Sequence, residues 1–453
     1  NLRTQTRFEQ NNGNLVEVNQ ETDTKPLDLA AQEASRLVFR PVFCVDQVLN
    51  PPPIVRVPAA GIQIGRNEDG GLRLDDGRVS KLHATARALD SGKLQIVDER
   101  SKNGTFVNGQ RVNEAELSQG DIVSIGDTSV VVSKEPLDID DAPAMGLFGD
   151  SATIRRVRAG IRACGPTSLT VLLMAETGCG KELVARALHD VSGVRGDFVA
   201  VNCAAVPENL FESQFFGHKT GAFTGAAASH LGFFRAASEG TLFLDEVGEL
   251  PFPLQSKLLR AIQERAVVPL GSTSPIPCPV RIVAATNRNL NEAVKAGTFR
   301  GDLLARLFEV EIPLPPLRER KEDILGLFLL AAGSALPLRH SLVEALLLHD
   351  WPYNVREVFA AARGLALAHH RGVQLDSGEF KRKIDAYRAT SSGAAASRTS
   401  RPPAAQAIDP ETLSRLLAEK GGSVAEVARE VGRSPRQVYR WIAKYGLPLP
   451  HRP

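Results

Sequence analysis

One segment restricts the fold of this 453-residue chain more than any other: an apolar run that passes directly into a glycine-rich turn and then a helix. The run VLLMA ends at Ala175, and the turn continues as ETGCGKE. Glycines let backbone N–H groups close around an anion, and the N-terminus of the following helix favours negative charge. A lysine at the end of the turn, here Lys181, reaches the outer phosphates of a nucleotide. The segment predicts a nucleotide-binding strand–loop–helix unit in an α/β domain.

The predicted phosphate-binding loop departs from the general pattern at two positions. Alanine stands first where glycine is usual, and Glu182 follows the lysine where serine or threonine usually contacts magnesium. Taken alone, the segment also fits a chance glycine-rich turn. The candidate nucleotide-binding residues of this loop are Ala175, Glu176, Thr177, Gly178, Cys179, Gly180, Lys181 and Glu182.

A second apolar run supplies the acidic half of the predicted site. GTLFLDE reads as a buried strand that ends in Asp245 and Glu246, which we expect beside the phosphate-binding loop. Asp245 is expected to bind Mg²⁺, and Glu246 to activate the attacking water as general base. A third run, VRIVAATN, ends in Thr286 and Asn287, a polar pair suited to sensing the γ-phosphate. These runs predict ATP and Mg²⁺ as cofactors.

The string ESQFFGHKTGAFTGA, together with the motifs above, resembles the AAA+ domain of bacterial enhancer-binding proteins, the activators of sigma-54 RNA polymerase. The resemblance covers residues 146 to about 370, and it accounts for Glu182 because the family motif itself reads GKE. In that family the GAFTGA loop touches sigma-54. The resemblance therefore implies a sigma-54 contact by Gly221, Ala222, Phe223, Thr224, Gly225 and Ala226.

Further residues are matched to the family by motif. Asn202 of VNCAA corresponds to a switch residue that pairs with the general base, and Arg356 of WPYNVREV to a nucleotide-contacting sensor. Arg300 and Arg306 of FRGDLLARL match two arginines that act catalytically across a subunit interface. Taken singly, these arginines would also suit surface salt bridges. Tyr353 stands where the family usually has glycine.

The region before the AAA+ motifs has the texture of an antiparallel β-sandwich: short Val- and Ile-rich runs separated by Gly, Asn and Asp. The strings IGRNEDGGLRL, RVSKLHATA and DERSKNGTFVNGQRV resemble a forkhead-associated (FHA) domain, which binds phosphothreonine peptides. Arg66 offers a charge-assisted fork to a phosphate, and His83 is expected to brace the loop. The predicted phosphopeptide site consists of Arg66, Ser80, Lys81, Asn103 and Asn108. Asn108 alone would also suit a hairpin turn.

The end of the chain is basic, with eight Lys/Arg and four Asp/Glu in residues 411–453. The string GGSVAEVAREVGRSPRQVYRWIAKYGL resembles the Fis-type helix-turn-helix of enhancer-binding proteins, and a solvated basic helical hairpin is the alternative. Double-stranded DNA is the expected partner, bound by a dimer at paired half-sites. The candidate DNA-contacting residues are Arg433, Ser434, Arg436, Gln437, Arg440 and Lys444.

The predicted fold is multidomain: an all-β FHA sandwich, an α/β P-loop AAA+ domain with a helical lid, and an all-α helix-turn-helix. The predicted boundaries are a disordered segment 1–36, the FHA domain 37–134, a linker 135–145, the AAA+ domain 146–386 with its lid from about 321, a flexible linker 387–407 and the helix-turn-helix 408–453. Five scattered cysteines without a CxxC pair and the absence of a long apolar run favour a cytoplasmic protein without membrane contact.

These motifs predict an ATP-hydrolysing activator that binds upstream DNA and remodels the sigma-54 RNA polymerase holoenzyme at promoters. Its control would come from phosphothreonine, on another protein or on this chain's own N-terminal tail, and the active form would be a homo-oligomer, from dimer to hexameric ring. Two alternatives are open. One is another AAA+ machine, such as a helicase loader or protein unfoldase, which the intact GAFTGA loop disfavours. The other is a phosphopeptide- and DNA-binding adaptor or repressor with an inactive ATPase.

Overall fold

The fold is that of a computed structural model of the chain. The described residues are 8–11, 14–17, 35–67, 71–136, 144–223, 226–333, 336–399 and 410–420, with Val424, Val427, Glu430, Val438, Trp441, Ile442 and Tyr445. Within them, no helix is both long and apolar enough to cross a membrane. Residues 1–387 and 388–453 form two compact units, which are described separately.

The first part of the chain is built from strands. They are β1 (Phe8–Asn11), β2 (Asn14–Glu17), β3 (Ser35–Cys44), β4 (Gln47–Val48), β5 (Val55–Arg56), β6 (Ile62–Gly65), β7 (Leu72–Arg73), β8 (Ala84–Ala88), β9 (Leu94–Asp98), β10 (Thr105–Val107), β11 (Gln110–Val112), β12 (Glu114–Leu117), β13 (Ile122–Ile125) and β14 (Thr128–Pro136). Strands β1 and β2 pair only with each other, as an antiparallel hairpin.

The remaining strands of this part form a sandwich of two sheets. One sheet has the order β11-β10-β13-β14-β3-β4, with β5 beside β3, and the other has the order β12-β9-β8-β6-β7. Buried side chains of both sheets, including Phe39, Ile64, Ile96 and Leu117, meet in one cluster between them. Burying the apolar face of each sheet against the other stabilises the sandwich.

The central part of the chain alternates strands and helices. Its elements are α1 (Ala152–Cys164), β15 (Val171–Ala175), α2 (Lys181–Ser192), β16 (Phe198–Asn202), α3 (Glu208–Phe216), α4 (Phe233–Ala236), β17 (Thr241–Asp245), α5 (Phe252–Glu264), β18 (Ala266–Val267), β19 (Ile276–Pro277), β20 (Arg281–Thr286), α6 (Leu290–Lys295), α7 (Gly301–Leu307) and β21 (Val310–Leu314). Four 3-10 turns, Cys203–Ala205, Val247–Glu249, Leu317–Glu319 and Lys321–Asp323, separate some of these elements or follow β21.

Five of these strands form a parallel sheet in the order β16-β17-β20-β15-β21. Central strands such as β20 are buried along their whole length because hydrophobic clusters cover both faces of the sheet. The carboxyl ends of β15, β17 and β20 lie at one edge. That edge carries the glycine-rich loop after Ala175, the acidic pair at Asp245, and Thr286.

The lid follows the sheet and consists of helices α8 (Ile324–Ala332), α9 (His340–Leu348), α10 (Asn354–His370) and α11 (Ser377–Thr399). Its hydrophobic core, which includes Leu346 and Trp351, also contains Phe43, Ile122 and Val131 of the β-sandwich. The sandwich and the lid therefore share one core. The β-sandwich and the parallel α/β sheet with its helical lid agree with the predicted fold class.

The structure differs from several predicted boundaries. Strands β1 and β2 and the first residues of β3 lie in the segment 1–36, which was expected to be disordered. The predicted linker 135–145 begins inside β14, where Glu135 is buried, and residues 137–143 lie outside the described part. Helix α11 continues to Thr399 through half of the predicted flexible linker 387–407. Its alanine-rich sequence explains this helix, because alanine has the highest helix propensity.

The C-terminal unit contains α12 (Pro410–Glu419) and a small apolar core. Leu413, Val427, Val438 and Ile442 are buried in this core, together with Leu417, Val424 and Trp441. The apolar spacing of the sequence thus corresponds to a packed unit. The predicted DNA-contacting residues, Arg433, Ser434, Arg436, Gln437, Arg440 and Lys444, all lie outside the described residues.

Candidate functional site

The glycine-rich loop joins β15 to α2 at the carboxyl edge of the parallel sheet. Gly178 and Gly180 have positive φ angles, +84° and +102°, which glycine adopts without strain. A Cβ atom on Gly178 would lie 2.1 Å from the carbonyl oxygen of Tyr353 in the lid. Ala175 is the buried last residue of β15, so the alanine leaves the positive-φ positions of the loop unchanged.

Lys181, Asp245 and Glu246 come together as the sequence predicts. The Nζ of Lys181 donates to Oε1 of Glu246 at 2.6 Å and lies 3.3 Å from Oδ1 of Asp245. Lys181 is buried, whereas both carboxylates are partly open to solvent. One cation and two acidic groups therefore share the space beside the loop, at the position where a nucleotide would place its outer phosphates.

The backbone at Glu246 is in the left-handed region, with φ of +54°. This conformation is uncommon for a residue with a side chain and is found preferentially at functional sites. It ends β17 and begins the turn Val247–Glu249, and it directs the Glu246 carboxylate toward Lys181. The sequence pattern predicts the acidic residue but not this conformation.

Asn202, Asn287 and Arg356 lie around the same edge. Asn202 is in register with Asp245 on the neighbouring strand, but its Oδ1 accepts the backbone N–H of Ala204 at 2.9 Å. The predicted partner of Asn202, Glu246, is bonded to Lys181 instead. Asn287 follows the last residue of β20 and is exposed, and the Cβ of Arg356 lies beside Gly178, 3.2 Å from where a Cβ on that glycine would be.

The two predicted catalytic arginines are bonded to acidic side chains of their own segment. Arg300 contacts both oxygens of Asp302, at 3.0 and 2.7 Å, which raises the pKa of Arg300 and lowers the pKa of Asp302. Arg306 donates to Glu309 at 2.5 Å. A phosphate that either arginine bound would have to compete with these carboxylates.

The phosphate-binding loop is also held from the lid, by residues that the sequence motifs did not single out. Arg318 makes a two-point ion pair with Glu176, at 2.9 and 2.7 Å, and this bonding lowers the pKa of the Glu176 carboxyl. The buried Asn354 donates to Glu176 at 3.2 Å and to the carbonyl oxygen of Thr177 at 3.1 Å. The basic string LRER immediately after β21 is the signal that could have indicated Arg318.

The described residues on either side of the GAFTGA motif are joined by an antiparallel bridge between His218 and His230. Within the motif, the N–H of Gly221 donates to the carbonyl oxygen of Ala226 at 2.9 Å. Phe223 is exposed and packs edge-on against the His218 ring, with 5.0 Å between ring centroids. Thr224 and Gly225 lie outside the described residues. The motif therefore presents an aromatic side chain to solvent, and His218 is its support.

Three of the five predicted phosphopeptide residues line one cavity of the sandwich. The cavity has a volume of about 740 Å³, and Arg66, Ser80 and Asn103 are among its lining residues. Arg78 and Lys102, which the sequence analysis did not select, also line it. The lining thus has three cationic groups, a hydroxyl and an amide, a combination suited to a phosphorylated ligand.

His83 braces this cavity as predicted. Its Nδ1 accepts the backbone N–H of Ser80 at 3.1 Å, and its Nε2 lies 3.2 Å from the carbonyl oxygen of Gly104. With Nδ1 as acceptor, the ring proton is on Nε2, which donates to Gly104. The buried imidazole therefore ties together the two loops that carry Ser80 and Asn103.

The other two predicted phosphopeptide residues, Asn108 and Lys81, are not among those that line the cavity. The amide of Asn108 is engaged in the β10–β11 turn, donating to Asp121 at 2.8 Å and accepting the N–H of Ile122 at 3.0 Å. Its φ of +50° also fits a hairpin turn. Lys81 is exposed and does not belong to the lining of the cavity.

Three family models match the chain, in the order of these regions. The FHA domain model matches residues 62–126, the Sigma-54 interaction domain model matches residues 147–313, and the Homeodomain-like domain model matches residues 414–448. The first two cover the cavity lined by Arg66, Ser80 and Asn103 and the carboxyl edge of the parallel sheet. The third covers the helical C-terminal unit and its basic segment.

Several curated proteins are similar to this chain. The nitric oxide reductase transcription regulator NorR2 of Cupriavidus necator is 34% identical, over 88% of this chain and 80% of its own length. The putative uric acid sigma-54-dependent transcriptional regulator UacR of Escherichia coli is 45% identical over 51% of this chain and 40% of its own length. The C4-dicarboxylate transport transcriptional regulatory protein DctD of Pseudomonas aeruginosa is 40% identical over 67% of this chain.

The chain spans 40% of the length of UacR and 65% of the length of DctD, less than two thirds in both cases. The match to NorR2 extends over most of both proteins, and the Sigma-54 interaction domain contains the GAFTGA turn and the cluster of Lys181, Asp245 and Glu246. With its FHA domain in front and its Homeodomain-like domain at the end, this chain belongs to the family of sigma-54-dependent transcriptional regulators.

Proposed function

We propose that the chain is an ATP-hydrolysing transcriptional activator that binds upstream DNA and remodels the sigma-54 RNA polymerase closed complex, under the control of phosphothreonine recognition. The observation that carries this proposal is that one domain contains both an assembled Lys181–Asp245–Glu246 cluster and an intact GAFTGA segment with an exposed Phe223. A nucleotide site can supply energy, and an exposed turn can deliver it to a partner.

In this proposal, Lys181 exchanges its bonds to the two carboxylates for bonds to the outer phosphates of ATP. Asp245 would hold Mg²⁺, for which a partly open carboxylate at the end of a strand is a suitable oxygen ligand. The metal, when bound, neutralises charge on the β- and γ-phosphates. Glu246, released from Lys181, accepts a proton from the attacking water.

The arginines Arg300 and Arg306 serve a neighbouring subunit in the proposed homo-oligomer. Each is now bonded to an acidic side chain of its own segment, Asp302 or Glu309. A positive charge supplied from a second subunit stabilises the charge that develops on the transferred phosphoryl group. Hydrolysis would therefore depend on assembly, up to a hexameric ring, and would be slow in an isolated chain.

The GAFTGA turn is the proposed contact with sigma-54, and residues 221–226 would move as the nucleotide is hydrolysed. The aromatic ring of Phe223 provides exposed apolar area at the tip. The basic C-terminal segment would hold the oligomer on DNA, as the Homeodomain-like match suggests. Arg433, Ser434, Arg436, Gln437, Arg440 and Lys444 remain the proposed contacts there.

The cavity of the FHA domain is the proposed site at which phosphothreonine binds and regulates the activator. Arg66, Arg78 and Lys102 line the cavity together with a hydroxyl and an amide, and none of the described residues that line it carries a carboxylate. A phosphothreonine carries close to two negative charges at pH 7, so this lining attracts it. In this proposal, the phosphothreonine belongs either to another protein or to this chain's own N-terminal tail.

The proposal is tested by measuring ATP hydrolysis and sigma-54-dependent promoter opening, with and without a phosphothreonine peptide library. Thr224→Ala is the test variant, and Ser229→Ala, an exposed position just after the motif, is the matched control. We expect Thr224→Ala to hydrolyse ATP but to lose promoter opening, while Ser229→Ala keeps both. Stimulation by phosphorylated peptides, but not by the unphosphorylated library, would support phosphothreonine control.

No ATP turnover at any protein concentration would contradict the proposal and favour the adaptor with an inactive motor. Turnover without binding to sigma-54 would favour another AAA+ machine. Unchanged activity with every phosphorylated peptide that binds would remove the regulatory part alone.

A further inference from the structure

A short segment after the parallel sheet, residues 317–323, contacts both the FHA domain and the phosphate-binding loop. We call it the lid-start segment. It consists of two consecutive 3-10 turns, Leu317–Glu319 and Lys321–Asp323, and leads into helix α8.

On the FHA side, the lid-start segment packs against the loop between β12 and β13. Leu317 of this segment and Ile122, which follows that loop, share one hydrophobic core. Lys321 is partly buried, which lowers its pKa, and the carboxylates of Asp121 in the FHA domain and Asp350 in the lid oppose this shift. A Cβ on the neighbouring Gly120 would be 4.0 Å from the carbonyl oxygen of Arg318, so the two backbones are in near contact. Asp121 also accepts the amide of Asn108, in the strand-turn unit that follows Asn103.

The FHA domain is fixed against the AAA+ domain by more than this loop. Arg40 of β3 is completely buried and bonds to Glu135 at 2.8 Å and to Asp150 at 2.9 Å. The N–H of Asp150 in turn donates to Asp323 at 2.7 Å. Because breaking one partner of a buried ion network leaves an uncompensated charge, this interface resists separation. We therefore expect a shift in the FHA domain to move the lid-start segment.

On the nucleotide side, the lid-start segment holds the phosphate-binding loop. Arg318 bonds to both oxygens of Glu176, and Asn354 joins the two elements by accepting the N–H of Leu317 at 2.7 Å and donating to Glu176. Glu176 is an acidic residue inside an anion-binding loop. Without a cation beside it, its carboxylate would repel the phosphates of a nucleotide.

We propose that Arg318 is a positioning residue that prepares the phosphate-binding loop for nucleotide by neutralising and orienting Glu176, and that the FHA domain sets nucleotide affinity through Asp121, Lys321 and Arg318. The proposal rests on the nucleotide site proposed above, and it adds the route by which the FHA domain reaches that site. In thermodynamic terms, the two domains share a coupling free energy through one segment.

Removing the positive charge of Arg318 should lower the affinity of the chain for nucleotide. Arg318→Ala leaves Glu176 without a cation beside it, so ADP binding should weaken roughly fivefold, the range expected for losing a partly exposed ion pair next to an anion site. Arg318→Lys keeps the charge and should retain most of the affinity. Adding Glu176→Gln to Arg318→Ala removes the repulsive carboxylate and should restore binding, which a general loss of folding would not.

The role of the FHA domain is tested by Asp121→Asn, which removes the negative charge beside Lys321. Titration calorimetry with ADP on the full chain measures its effect in two backgrounds, wild type and Arg318→Ala/Glu176→Gln. We expect Asp121→Asn to change ADP affinity at least twofold in the first background and not in the second. Glu116→Gln is the matched control, since it breaks an exposed ion pair with Lys93 elsewhere on the FHA domain. Thermal unfolding verifies that each variant is folded.

Equal effects of Asp121→Asn in both backgrounds, or no effect in either, would overturn the coupling. Unchanged ADP affinity in Arg318→Ala, or no recovery with Glu176→Gln, would overturn the role of Arg318. If the wild-type chain binds no ADP, the proposed nucleotide site itself fails, and this coupling fails with it. If ADP binding behaves as expected but promoter opening is absent, the coupling stands and the proposed activator function does not.

Discussion

The ammonium of Lys181 donates to the carboxylate of Glu246 at 2.6 Å, although the two residues are 65 positions apart in the chain. The pair joins the helix after the phosphate-binding loop to the end of a different strand. The predicted phosphate ligand and the predicted general base thus neutralise each other. ATP would have to separate Lys181 from Glu246. Binding of the nucleotide and release of the general base would therefore occur together.

This relationship predicts different effects on binding and hydrolysis. Glu246→Gln keeps the shape of the side chain but removes the base, so ATP turnover should fall by about 10²- to 10⁴-fold. ADP affinity should be retained, because Lys181 loses a competing carboxylate. Calorimetry and a phosphate-release assay measure the two quantities. Glu249→Gln, in the turn that follows, is the control and should leave turnover unchanged. Normal turnover in Glu246→Gln would exclude Glu246 as the base.

The sequence was sufficient to predict the groups that follow local patterns. An apolar run before a glycine-rich turn, and another that ends in Asp245 and Glu246, place their polar residues at one edge of a parallel sheet because parallel strands share a direction. The resemblance to an FHA domain, rather than strand direction, indicated Arg66, Ser80 and Asn103. These three residues do line one cavity.

Contacts between distant segments could not be predicted in this way. Arg318 reaches Glu176 across 142 residues, and Arg40 reaches Asp150 across 110. Nothing in the local spacing of either pair indicates its partner, because both depend on how the lid and the FHA domain pack. For Asn108, the local sequence was compatible with two roles, ligand binding and a hairpin turn. In the structure its side-chain amide forms hydrogen bonds within the turn.

The close approach of Gly178 to the lid gives a prediction for stability and binding. Gly178→Ala should destabilise the chain by about 3 kcal/mol or more and abolish ADP binding, because its Cβ would lie 2.1 Å from the Tyr353 carbonyl oxygen at a positive φ. Gly193→Ala is the matched control, since φ is +67° there but nothing lies within 4 Å of the added Cβ. It should cost only about 1 kcal/mol. Thermal unfolding with and without ADP compares them, and equal losses would contradict the packing argument.

Substitutions at the cavity and at the neighbouring turn should affect different quantities: peptide affinity for Arg66 and stability for Asn108. Arg66→Ala removes an exposed guanidinium from the lining and should weaken phosphothreonine peptide binding at least tenfold, with little change in stability. Asn108→Ala removes two hydrogen bonds of the turn and should instead lower stability by about 1–2 kcal/mol. Arg87→Ala, an exposed arginine outside the cavity lining, should change neither. Fluorescence anisotropy with a peptide pool and thermal unfolding distinguish these effects. Retained peptide binding in Arg66→Ala would place the phosphate elsewhere.

Glu322, at the contact between the FHA domain and the lid, should make the stability of the folded chain depend on pH. Burial, and next the neighbouring carboxylate of Asp323, raise the pKa of Glu322 to about 7, while Arg40 of the FHA domain opposes this shift. A carboxyl whose pKa is higher in the folded chain than in the unfolded one binds its proton more tightly when folded. Its contribution to stability is therefore complete below a pH of about 4.5 and is lost as the pH rises through about 7.

Glu322→Gln imitates the protonated carboxyl at every pH. The variant should match the wild type near pH 4 and be more stable than it at pH 8, as measured by denaturant unfolding. Glu319→Gln, an exposed position on the same segment, should show no such difference between the two pH values. Since Arg40 and Asp323 surround Glu322, loss of its proton also places a new negative charge inside the network that holds the FHA domain on the lid. A wild-type chain and a Glu322→Gln variant with parallel pH profiles would show that this carboxyl titrates normally and that the interface tolerates its charge.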